Sequence, residues 1–260
     1  MHRFAIAVLF AFSNLASAQA PSTYEPTVGQ EGKDVVWVPT PQTLVNKMLD
    51  MAKLTPQDFH MDLGSGDGRT VITAAKRGAR SMGVEYNPDM VELAKRNAAK
   101  EGVTARATFV KADLFETDFS KATVITLFLL PDINLKLRPK ILNMKPGTRI
   151  VSNTFTMGDW QADETGHADN GCESSWCTAL LWIVPAKVAG SYKTPQGDVT
   201  FKQEFQMLTG TLRSEGKTFA LEGKVRGEEI SFNAGGKSYT GKLNGKALEL
   251  QQTTSRGLRG

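Results

Sequence analysis

One segment constrains this chain more than any other, because a short strand pattern runs into a turn of alternating glycines and then into a helix. The segment reads His60-Met61-Asp62-Leu63-Gly64-Ser65-Gly66-Asp67-Gly68-Arg69. Glycine lacks a Cβ atom, so a ligand can approach the backbone of the turn, and the start of the helix offers free N–H groups. The segment therefore predicts a nucleotide-type cofactor beside a strand end of an α/β sheet.

The spacing of the glycines indicates which cofactor fits. A dinucleotide-binding turn has the spacing G-x-G-x-x-G, whereas here the third glycine falls one residue early and Arg69 follows it. S-adenosylmethionine has no pyrophosphate, and its positive amino group and sulfonium suit Asp62 at the strand end. Because a lone G-x-G-x-G turn also occurs as a plain helix cap, this prediction needs support from other residues.

Acidic residues after the next two strands supply that support. Glu85 closes the second strand, where it can accept hydrogen bonds from both ribose hydroxyls, although dehydrogenases also carry an acid there. Asp113 and Leu114 follow the third strand and can hydrogen-bond and flank the adenine. Taken in this order along the chain, the three acids and the glycine turn predict S-adenosylmethionine far more specifically than any one of them.

Strand-like and helix-like patterns alternate over residues 34–185, which predicts a Rossmann-like α/β domain with a parallel sheet covered on both faces. Thr40 and Asn87 are expected to cap helices, and Pro139 to kink or split a later one. Residues 178–184 are expected to form an antiparallel edge strand. The parallel strands are expected at residues 59–63, 81–85, 105–110, 123–129 and 149–154.

The pattern changes after Pro185. Short runs of alternating apolar and polar residues follow, and turn signals such as Glu215-Gly216, Gly235-Gly236 and Asn244-Gly245 separate them. Strands joined only by hairpins do not belong to a parallel sheet. Residues 186–260 are therefore predicted to form a separate antiparallel β-meander, either a small barrel or a sandwich.

The first residues have the pattern of a signal peptide. Residues 1–18 begin with His2-Arg3, continue with a short apolar run and end in small residues. We expect an exported protein, periplasmic or secreted, with residues 19–33 as a flexible lead-in. Loss of the leader removes one positive charge from the formal net charge of +4, which leaves +3.

Two classes of partner are not expected. Outside the leader no stretch approaches 18 consecutive apolar residues, so the mature chain is expected to lack a transmembrane span. No block of five or six like charges occurs, so a nucleic-acid partner is not indicated either.

The two cysteines, Cys172 and Cys177, lie in one polar segment. In an exported chain, a pair this close is expected to form a disulfide. A zinc site that adds His167 is the alternative, but the segment offers no evident fourth ligand. We therefore expect a disulfide and no bound metal.

The motifs resemble those of the class I S-adenosylmethionine-dependent methyltransferases. Within that class, the chain is similar to the mitochondrial-type protein-lysine methyltransferases over residues 34–184, with the C-terminal β domain as an addition. Members of that family methylate membrane-embedded proteins such as the ATP synthase c-subunit and the adenine nucleotide carrier. The resemblance therefore implies a protein lysine, in a membrane-associated protein, as the methyl acceptor. The segments that carry it are the glycine turn, Trp37-Val38-Pro39-Thr40-Pro41, Gly83-Val84-Glu85-Tyr86-Asn87-Pro88 and Leu127-Phe128-Leu129-Leu130-Pro131.

The same resemblance implies where ligands bind. Residues 37–40 would form part of a lid over the cofactor, and residues 127–131 would border the methyl-transfer channel. The candidate substrate-channel residues are Phe128, Leu130, Pro131 and Asp132. The candidate cofactor-binding residues are Trp37, Pro39, Thr40, Asp62, Gly64, Ser65, Gly66, Asp67, Gly68, Glu85, Tyr86, Asn87, Asp113, Leu114 and Phe128.

No catalytic base can be named from the sequence. A lysine nucleophile must be neutral although its ordinary pKa is about 10.4, and desolvation in a pocket lowers that pKa. We therefore expect alignment and desolvation, rather than one indispensable base, to produce the rate enhancement. Asp132, Asn153 and Asp159 lie near strand ends and could orient a substrate, but each also suits a cap or a turn.

Two other functions fit the same motifs. The first is a small-molecule or lipid methyltransferase, for which the β domain could serve as a substrate-binding cup, although a stabilising or docking role fits that domain better. The second is an exported binding protein that retains the fold without catalysis. Methylation of nucleic-acid amino groups ranks lower, because residues 127–131 replace the Asn/Asp-Pro-Pro-aromatic motif of such enzymes.

Overall fold

The computed structural model describes residues 24–168, 171–172 and 175–253. The predicted leader over residues 1–18 lies outside this part of the chain, as do the first residues of the predicted lead-in. Two seven-stranded sheets form successively along the chain. No helix in the described ranges is both long and apolar enough to cross a membrane.

The first sheet has the strand order β3-β2-β1-β4-β5-β7-β6, and β1 to β5 run parallel. Four helices accompany its strands: α1 (Gln42–Met51), α2 (Arg69–Lys76), α3 (Pro88–Lys100) and α4 (Pro131–Ile141). The strands are β1 (Phe59–Leu63), β2 (Arg80–Glu85), β3 (Ala107–Lys111), β4 (Val124–Leu127), β5 (Arg149–Asn153), β6 (Glu164–His167) and β7 (Thr178–Ile183).

The strand order positions the site. It reverses between β1 and β4, which are neighbours in the sheet although β2 and β3 separate them in the chain. Strands β1 and β4 are buried along almost their whole length, as expected of central strands covered on both faces. In open α/β sheets, ligands bind beyond the carboxyl ends of the strands at such a reversal.

The helix caps follow the sequence only in part. The Asn87 side chain accepts a hydrogen bond of 2.9 Å from the backbone N–H of Asp89, which confirms that it caps α3. The predicted cap by Thr40 is wrong: Pro41 is the N-cap of α1, and the Thr40 hydroxyl instead accepts a bond of 3.3 Å from Asn153 Nδ2. Pro139 does not split α4, because it lies in the last turn of one continuous helix.

One end of this sheet also differs from the prediction. Strand β7 runs antiparallel to β5 as expected, but it is not the edge, because β6 pairs along its other side. Strand β6 is short and mostly exposed. It therefore lacks the apolar alternation by which a strand is recognised in a sequence.

The second sheet is a meander in which each strand pairs antiparallel with the next. Its first and last strands approach each other, and Gln196 Nε2 donates to the carbonyl of Leu250 over 3.2 Å, so the sheet is nearly closed. The strands are β8 (Gly190–Thr194), β9 (Gly197–Glu204), β10 (Met207–Ser214), β11 (Lys217–Arg226), β12 (Glu229–Ala234), β13 (Lys237–Asn244) and β14 (Ala247–Thr253).

The interior of this barrel is filled by side chains. The rings of Phe201 and Phe232 lie 5.4 Å apart, and those of Phe232 and Tyr239 lie 5.0 Å apart. All three residues are buried together with the aliphatic side chains of the surrounding strands. The β domain therefore has a packed apolar core rather than the open substrate-binding cup considered for a small-molecule or lipid methyltransferase.

A polar and aromatic interface joins the two sheets. The Phe205 ring stacks on buried Trp160 with 6.2 Å between ring centroids. Gln206 Nε2 donates to the carbonyl of Gln161 over 2.8 Å, and Arg226 of β11 forms an ion pair with Glu164 of β6. These contacts fix the β domain beside the end of the first sheet that contains β6 and β7.

Candidate active site

A cavity of about 510 Å³ opens at the carboxyl ends of the parallel strands, where the strand order reverses. Every candidate cofactor-binding residue except Gly68 lines it. Six carboxylic acids and only two basic residues contribute to the lining, so the cavity favours a cationic ligand. The acids are Glu31, Asp34, Asp62, Asp67, Glu85 and Asp113, and the basic residues are Lys33 and Arg69.

The order of the strands sorts this lining into two halves. Asp113, Glu85 and Asp62 follow or end β3, β2 and β1, and they form an acidic half. Beyond β4, β5 and β7 the lining is aromatic instead. We call Phe128, Phe155 and Trp176 the aromatic wall. The boundary between the two halves lies at the reversal between β1 and β4.

The glycine turn approaches the cavity with bare backbone. Gly64 and Gly66 have φ values of +82° and +52°, in the left-handed region that favours glycine. A Cβ atom on Gly66 would lie 2.7 Å from Trp37 Nε1, and one on Gly64 would lie 3.1 Å from a Leu129 methyl carbon. Only glycine leaves room here for the turn, the Trp37 ring and a ligand together.

The third glycine has another role. Gly68 was also predicted to contact the cofactor, but it is the one candidate cofactor-binding residue that does not line the cavity. It has φ +83°, and an added Cβ would lie 2.7 Å from the Phe109 ring and 2.9 Å from the Ala94 Cβ. Gly68 therefore allows α2 to pack closely against β3 and α3.

Ser65, between the first two glycines of the turn, lines the cavity but does not turn its hydroxyl towards it. The hydroxyl is buried, has no hydrogen-bond partner among the described residues, and lies so close to β2 that a Cβ on Gly83 would be 2.5 Å from Ser65 Oγ. The groups that fit S-adenosylmethionine are therefore the bare backbone of the glycine turn, which lets a ligand approach closely, and the acids, which suit its amino group and its two ribose hydroxyls.

Asp62 is the buried acid at the centre of the cavity. Its Oδ1 accepts a hydrogen bond of 2.6 Å from the Thr126 hydroxyl. Burial raises the pKa of Asp62 to about 7, with the neighbouring carboxylates of Asp67 and Glu85 adding to the effect. The protonation state of this residue therefore changes near neutral pH, and a cation beside it would favour the ionised form.

A buried histidine contacts the same hydroxyl that bonds to Asp62. His60 Nε2 lies 2.8 Å from the Thr126 hydroxyl, and Nδ1 lies 2.6 Å from the Ser81 hydroxyl. Burial lowers the pKa of His60 to about 3, so the ring is neutral. The Thr126 hydroxyl donates its hydrogen to Asp62, so its oxygen can only accept a hydrogen bond from His60. His60 therefore donates to Thr126 through Nε2, and its Nδ1 accepts from the Ser81 hydroxyl.

Glu85 is oriented by the backbone around it. Oε2 accepts from the N–H of Gly66 over 3.0 Å, and Oε1 accepts from the N–H of Asn87 over 2.9 Å. Each carboxylate oxygen keeps a further lone pair. The carboxylate thus has free acceptor positions, which the predicted contact with two ribose hydroxyls would use.

Asp113 is already occupied by a residue that the sequence interpretation did not single out. Its Oδ2 accepts from Lys33 Nζ over 2.6 Å, and its Oδ1 accepts from the backbone N–H of Phe115 over 2.9 Å. The Lys33 ammonium also lies 5.0 Å from the centre of the Tyr86 ring. Asp113 therefore anchors the chain that crosses the cavity, in addition to any contact with adenine.

The chain that crosses the cavity consists of the last residues of the predicted lead-in, which ends at residue 33, and the segment 34–40 that follows it. The backbone N–H of Trp37 donates to Gln30 and the N–H of Gly29 donates to Trp37, each over 2.9 Å, so the segment forms a hydrogen-bonded loop. Residues 30–40 all contribute to the cavity lining. We call residues 27–40 the N-terminal strap. The family resemblance implied a lid at residues 37–40, but no sequence pattern predicted the hydrogen-bonded loop before it, because those hydrogen bonds depend on how the chain lies across the cavity.

Arg69 joins the strap to the glycine turn. Its guanidinium donates to both carboxylate oxygens of Asp67, with the shortest distance 2.6 Å, and to the carbonyl of Thr40 over 3.0 Å. The Asp67 carboxylate is therefore engaged within the protein rather than held open for a ligand. Arg69 replaces the third glycine of the dinucleotide pattern and acts as a structural clamp.

Several residues that were predicted to border the substrate channel or to orient the substrate do not line the cavity. Phe128 and Leu130 line it, whereas Pro131 and Asp132 belong to the first turn of α4 and do not. Asn153 is buried and bonds to Thr40 and Thr154. Asp159 is an exposed partner of Arg138. None of these polar side chains is placed to orient a substrate in the cavity.

Phe155 and Trp176 were missed in the sequence. Each follows or precedes a strand by only two residues, but neither belongs to a recognised motif. Trp176 lies next to Cys177, which forms a disulfide with Cys172 at a Cα–Cα distance of 5.9 Å. No group of three or more potential metal ligands occurs within the described ranges.

Comparison with known proteins gives the same assignment. A family model, the ANTKMT methyltransferase domain, matches residues 62–164. A protein-lysine N-methyltransferase of Saccharolobus islandicus (strain REY15A) is 45% identical over 153 residues, which cover 58% of this chain and 94% of that protein. The ATP synthase c-subunit lysine N-methyltransferase of Rattus norvegicus is 33% identical over 117 residues, and the match spans only 53% of that protein and 45% of this chain.

A solved structure also matches more than half of this chain. The crystal structure of an RNA methyltransferase from Salinibacter ruber in complex with S-adenosyl-L-homocysteine has a TM-score of 0.54 and 44% sequence identity. The match covers 58% of this chain and 96% of that chain. The fold and the cavity thus define a class I methyltransferase whose cofactor is S-adenosylmethionine. The chain belongs to the family of the Saccharolobus protein-lysine N-methyltransferase, which confirms the predicted resemblance.

Proposed function

We propose that this protein transfers a methyl group from S-adenosylmethionine to the side-chain amine of lysine in a protein substrate. The division of the cavity into an acidic and an aromatic half carries the proposal. The acidic half suits the amino-acid and ribose ends of the cofactor, and the aromatic wall suits the apolar stem of an incoming lysine. The family relationship to a protein-lysine N-methyltransferase supports this acceptor.

For this reaction, the main task of the protein is to align the lysine amine with the methyl group of the cofactor. The bound cofactor supplies an electrophilic methyl group on a sulfonium. As the amine nitrogen bonds to the methyl carbon, the carbon–sulfur bond breaks, its electron pair stays on sulfur, and the alkylated nitrogen releases a proton to water. The apolar aromatic wall favours the neutral amine by desolvation. The strap and the glycine turn hold the reactants in line and exclude water.

Incubation with labelled S-adenosylmethionine tests the acceptor. The purified protein is added to a cell-envelope extract, and the label is followed into protein, RNA and lipid fractions. Acid hydrolysis of the protein fraction is expected to yield methylated lysine. Label that is sensitive to ribonuclease or extracted with lipid would contradict the proposal, and bound cofactor with no transfer would favour the non-catalytic binding protein.

We also propose that the protein is exported and acts on a membrane-associated protein. The signal-like residues 1–18 and the disulfide between Cys172 and Cys177 support export, since disulfides persist in oxidising compartments. A reporter fused to the C-terminus of the full chain should be found in the envelope or the medium. A wholly cytoplasmic reporter would contradict this part of the proposal.

A further inference from the structure

The aromatic wall is a built feature rather than a chance meeting of rings. The Phe128 and Phe155 rings stack with 5.8 Å between centroids and 21° between planes. The Trp176 ring meets the Phe128 ring at 6.0 Å and 61°. Both distances lie in the range that aromatic pairs prefer. All three rings are half-buried and face the same cavity.

Strand register brings the three rings to one place. Phe128 follows Leu127, the last residue of β4, which pairs with Leu63 just before the glycine turn. Phe155 comes two residues after β5, and Trp176 comes two residues before β7. Strands β5 and β7 are antiparallel with Asn153 opposite Ala179. The end of β5 and the start of β7 therefore meet at the same edge.

Hydrogen bonds hold Phe155 and the strained residue before it in position. Thr154, just before it, has φ +59°, which is unusual for a β-branched residue. The N–H of Thr154 donates to the carbonyl of Thr178 over 2.7 Å. Fully buried Asn134 donates to the carbonyls of Phe155 and Thr156 over 3.3 and 3.1 Å. Such strain persists only where the surroundings enforce it, and it clusters at functional sites.

The disulfide holds Trp176 in a similar way. It closes the short loop from Cys172 to Cys177, and Trp176 is the residue next to the second cysteine. At the base of the loop, the N–H of Ala168 donates to the carbonyl of Cys177 over 2.9 Å. A cross-link this close restricts the positions that the indole can take. The loop is thus a support for one side of the wall.

We propose that the aromatic wall is the subsite for an alkylammonium group, and that the disulfide loop completes it through Trp176. This inference rests on the proposed function and specifies how the acceptor is recognised. The ring faces contact the methylene stem of lysine and bind the arriving ammonium, with any methyl groups that it carries, by cation–π interaction. The nitrogen then loses its proton to water, and the neutral amine attacks the methyl group. The subsite therefore retains mono- and dimethylated lysine for further rounds of transfer.

Substitutions at Trp176 test the inference with poly-L-lysine as the methyl acceptor in the full-length protein. Trp176→Ala is expected to raise the KM for poly-L-lysine about 10-fold and to shift the product from trimethyl- towards monomethyl-lysine. Trp176→Phe keeps a ring and should restore both. The paired variant Cys172→Ser/Cys177→Ser should raise the KM several-fold. Met207→Ala, an exposed apolar truncation on the β domain, is the control expected to match the wild type.

Binding of S-adenosylhomocysteine, measured by calorimetry, separates the possible failures. It should be unchanged in every variant, which shows that the cofactor half is intact. A Trp176→Ala protein with wild-type KM and wild-type product distribution would overturn the subsite while lysine methylation stands. A wild-type protein that binds cofactor but methylates no lysine would overturn both. If Trp176→Ala fails to fold, Trp176→Leu decides, since it keeps apolar bulk without a ring and should lose trimethylation.

Discussion

The Thr126 hydroxyl donates a 2.6 Å hydrogen bond to Asp62 Oδ1, and the same hydroxyl oxygen lies 2.8 Å from His60 Nε2. A neutral histidine thus orients a hydroxyl that in turn orients the acid facing the cofactor. The pKa values of His60 and Asp62 are shifted in opposite directions. Burial lowers the pKa of His60 to about 3 and raises the pKa of Asp62 to about 7.

The first prediction concerns the pH dependence of cofactor binding. The ammonium of S-adenosylmethionine favours the ionised carboxylate, so the affinity should fall when Asp62 takes up a proton. Below the pKa of about 7, the Kd should rise towards 10-fold per pH unit, and it should level off above that pKa. Calorimetry between pH 5.5 and about 7.5 stays below the range in which a free α-amino group loses its charge.

Asp62→Asn is the control for this titration. It should bind cofactor more weakly and lose the steep pH dependence, because it has no carboxyl to protonate. An equal pH dependence in the wild type and in this variant would assign the titration to another group. A wild-type Kd that is the same at pH 5.5 and pH 7.5 would contradict the prediction.

The second prediction concerns the stability of the cofactor-free protein in acid. The pKa of His60 is lower in the folded than in the unfolded chain, so His60 contributes stability that is lost as the pH falls below about 6.5. Asp62 has a raised folded pKa, so its contribution is present at low pH and is lost as the pH rises towards 7. Between pH 5 and 6.5 these two changes oppose each other, and the wild-type stability should vary little.

Asp62→Asn removes the contribution of Asp62 to the pH dependence of stability and leaves that of His60. Its free energy of unfolding should fall by about 1.5 kcal/mol between pH 6.5 and pH 5, following about 1.4 kcal/mol per pH unit for one proton. Urea unfolding at the two pH values measures this change. A variant as insensitive to pH as the wild type would show that His60 is protonated when the chain is folded.

The third prediction concerns Glu85. Replacement by Gln turns one acceptor oxygen into an N–H donor, which would face the backbone N–H of either Gly66 or Asn87. The variant also loses a charged acceptor for ribose, worth about 2 kcal/mol, or roughly a 30-fold higher Kd for S-adenosylhomocysteine. Glu92→Gln, on the exposed face of α3, is the matched control and should bind normally. Equal affinities of the two variants would contradict the role of Glu85.

The acids of the site could be predicted from the sequence because they depend only on where parallel strands end. Asp62 and Glu85 lie in the last two residues of recognisable strands and Asp113 comes just after one, and parallel strands end at one edge. Phe155 and Trp176 depend instead on the register of β5 with β7 and on a disulfide, which no local pattern encodes. The same holds for Lys33, whose partner Asp113 lies 80 residues away.

The β domain shows the same difference between local and tertiary signals. The hairpin at Glu215-Gly216 was predicted because its glycine is a turn signal, and the two residues have φ values of +51° and +74°. The turn at Phe205 was missed because an aromatic residue rarely adopts its φ of +51°. Its ring stacks on Trp160 of the other domain, so a tertiary contact stabilises a turn that the local sequence does not favour.

The last prediction separates two glycines that look alike in the sequence. Gly66→Ala places a Cβ 2.7 Å from Trp37 Nε1, so it should displace the strap and weaken cofactor binding at least about 10-fold, with about 1 kcal/mol lost from folding for the left-handed backbone. Gly68→Ala places a Cβ against Phe109 and Ala94 away from the cavity. It should destabilise the fold by about 2–4 kcal/mol and change the Kd of the folded protein by less than about 3-fold. Urea unfolding and calorimetry on both variants check this. If Gly68→Ala instead abolished binding in a stable protein, Gly68 would have to contact the cofactor after all, since packing against Phe109 alone does not reach the ligand.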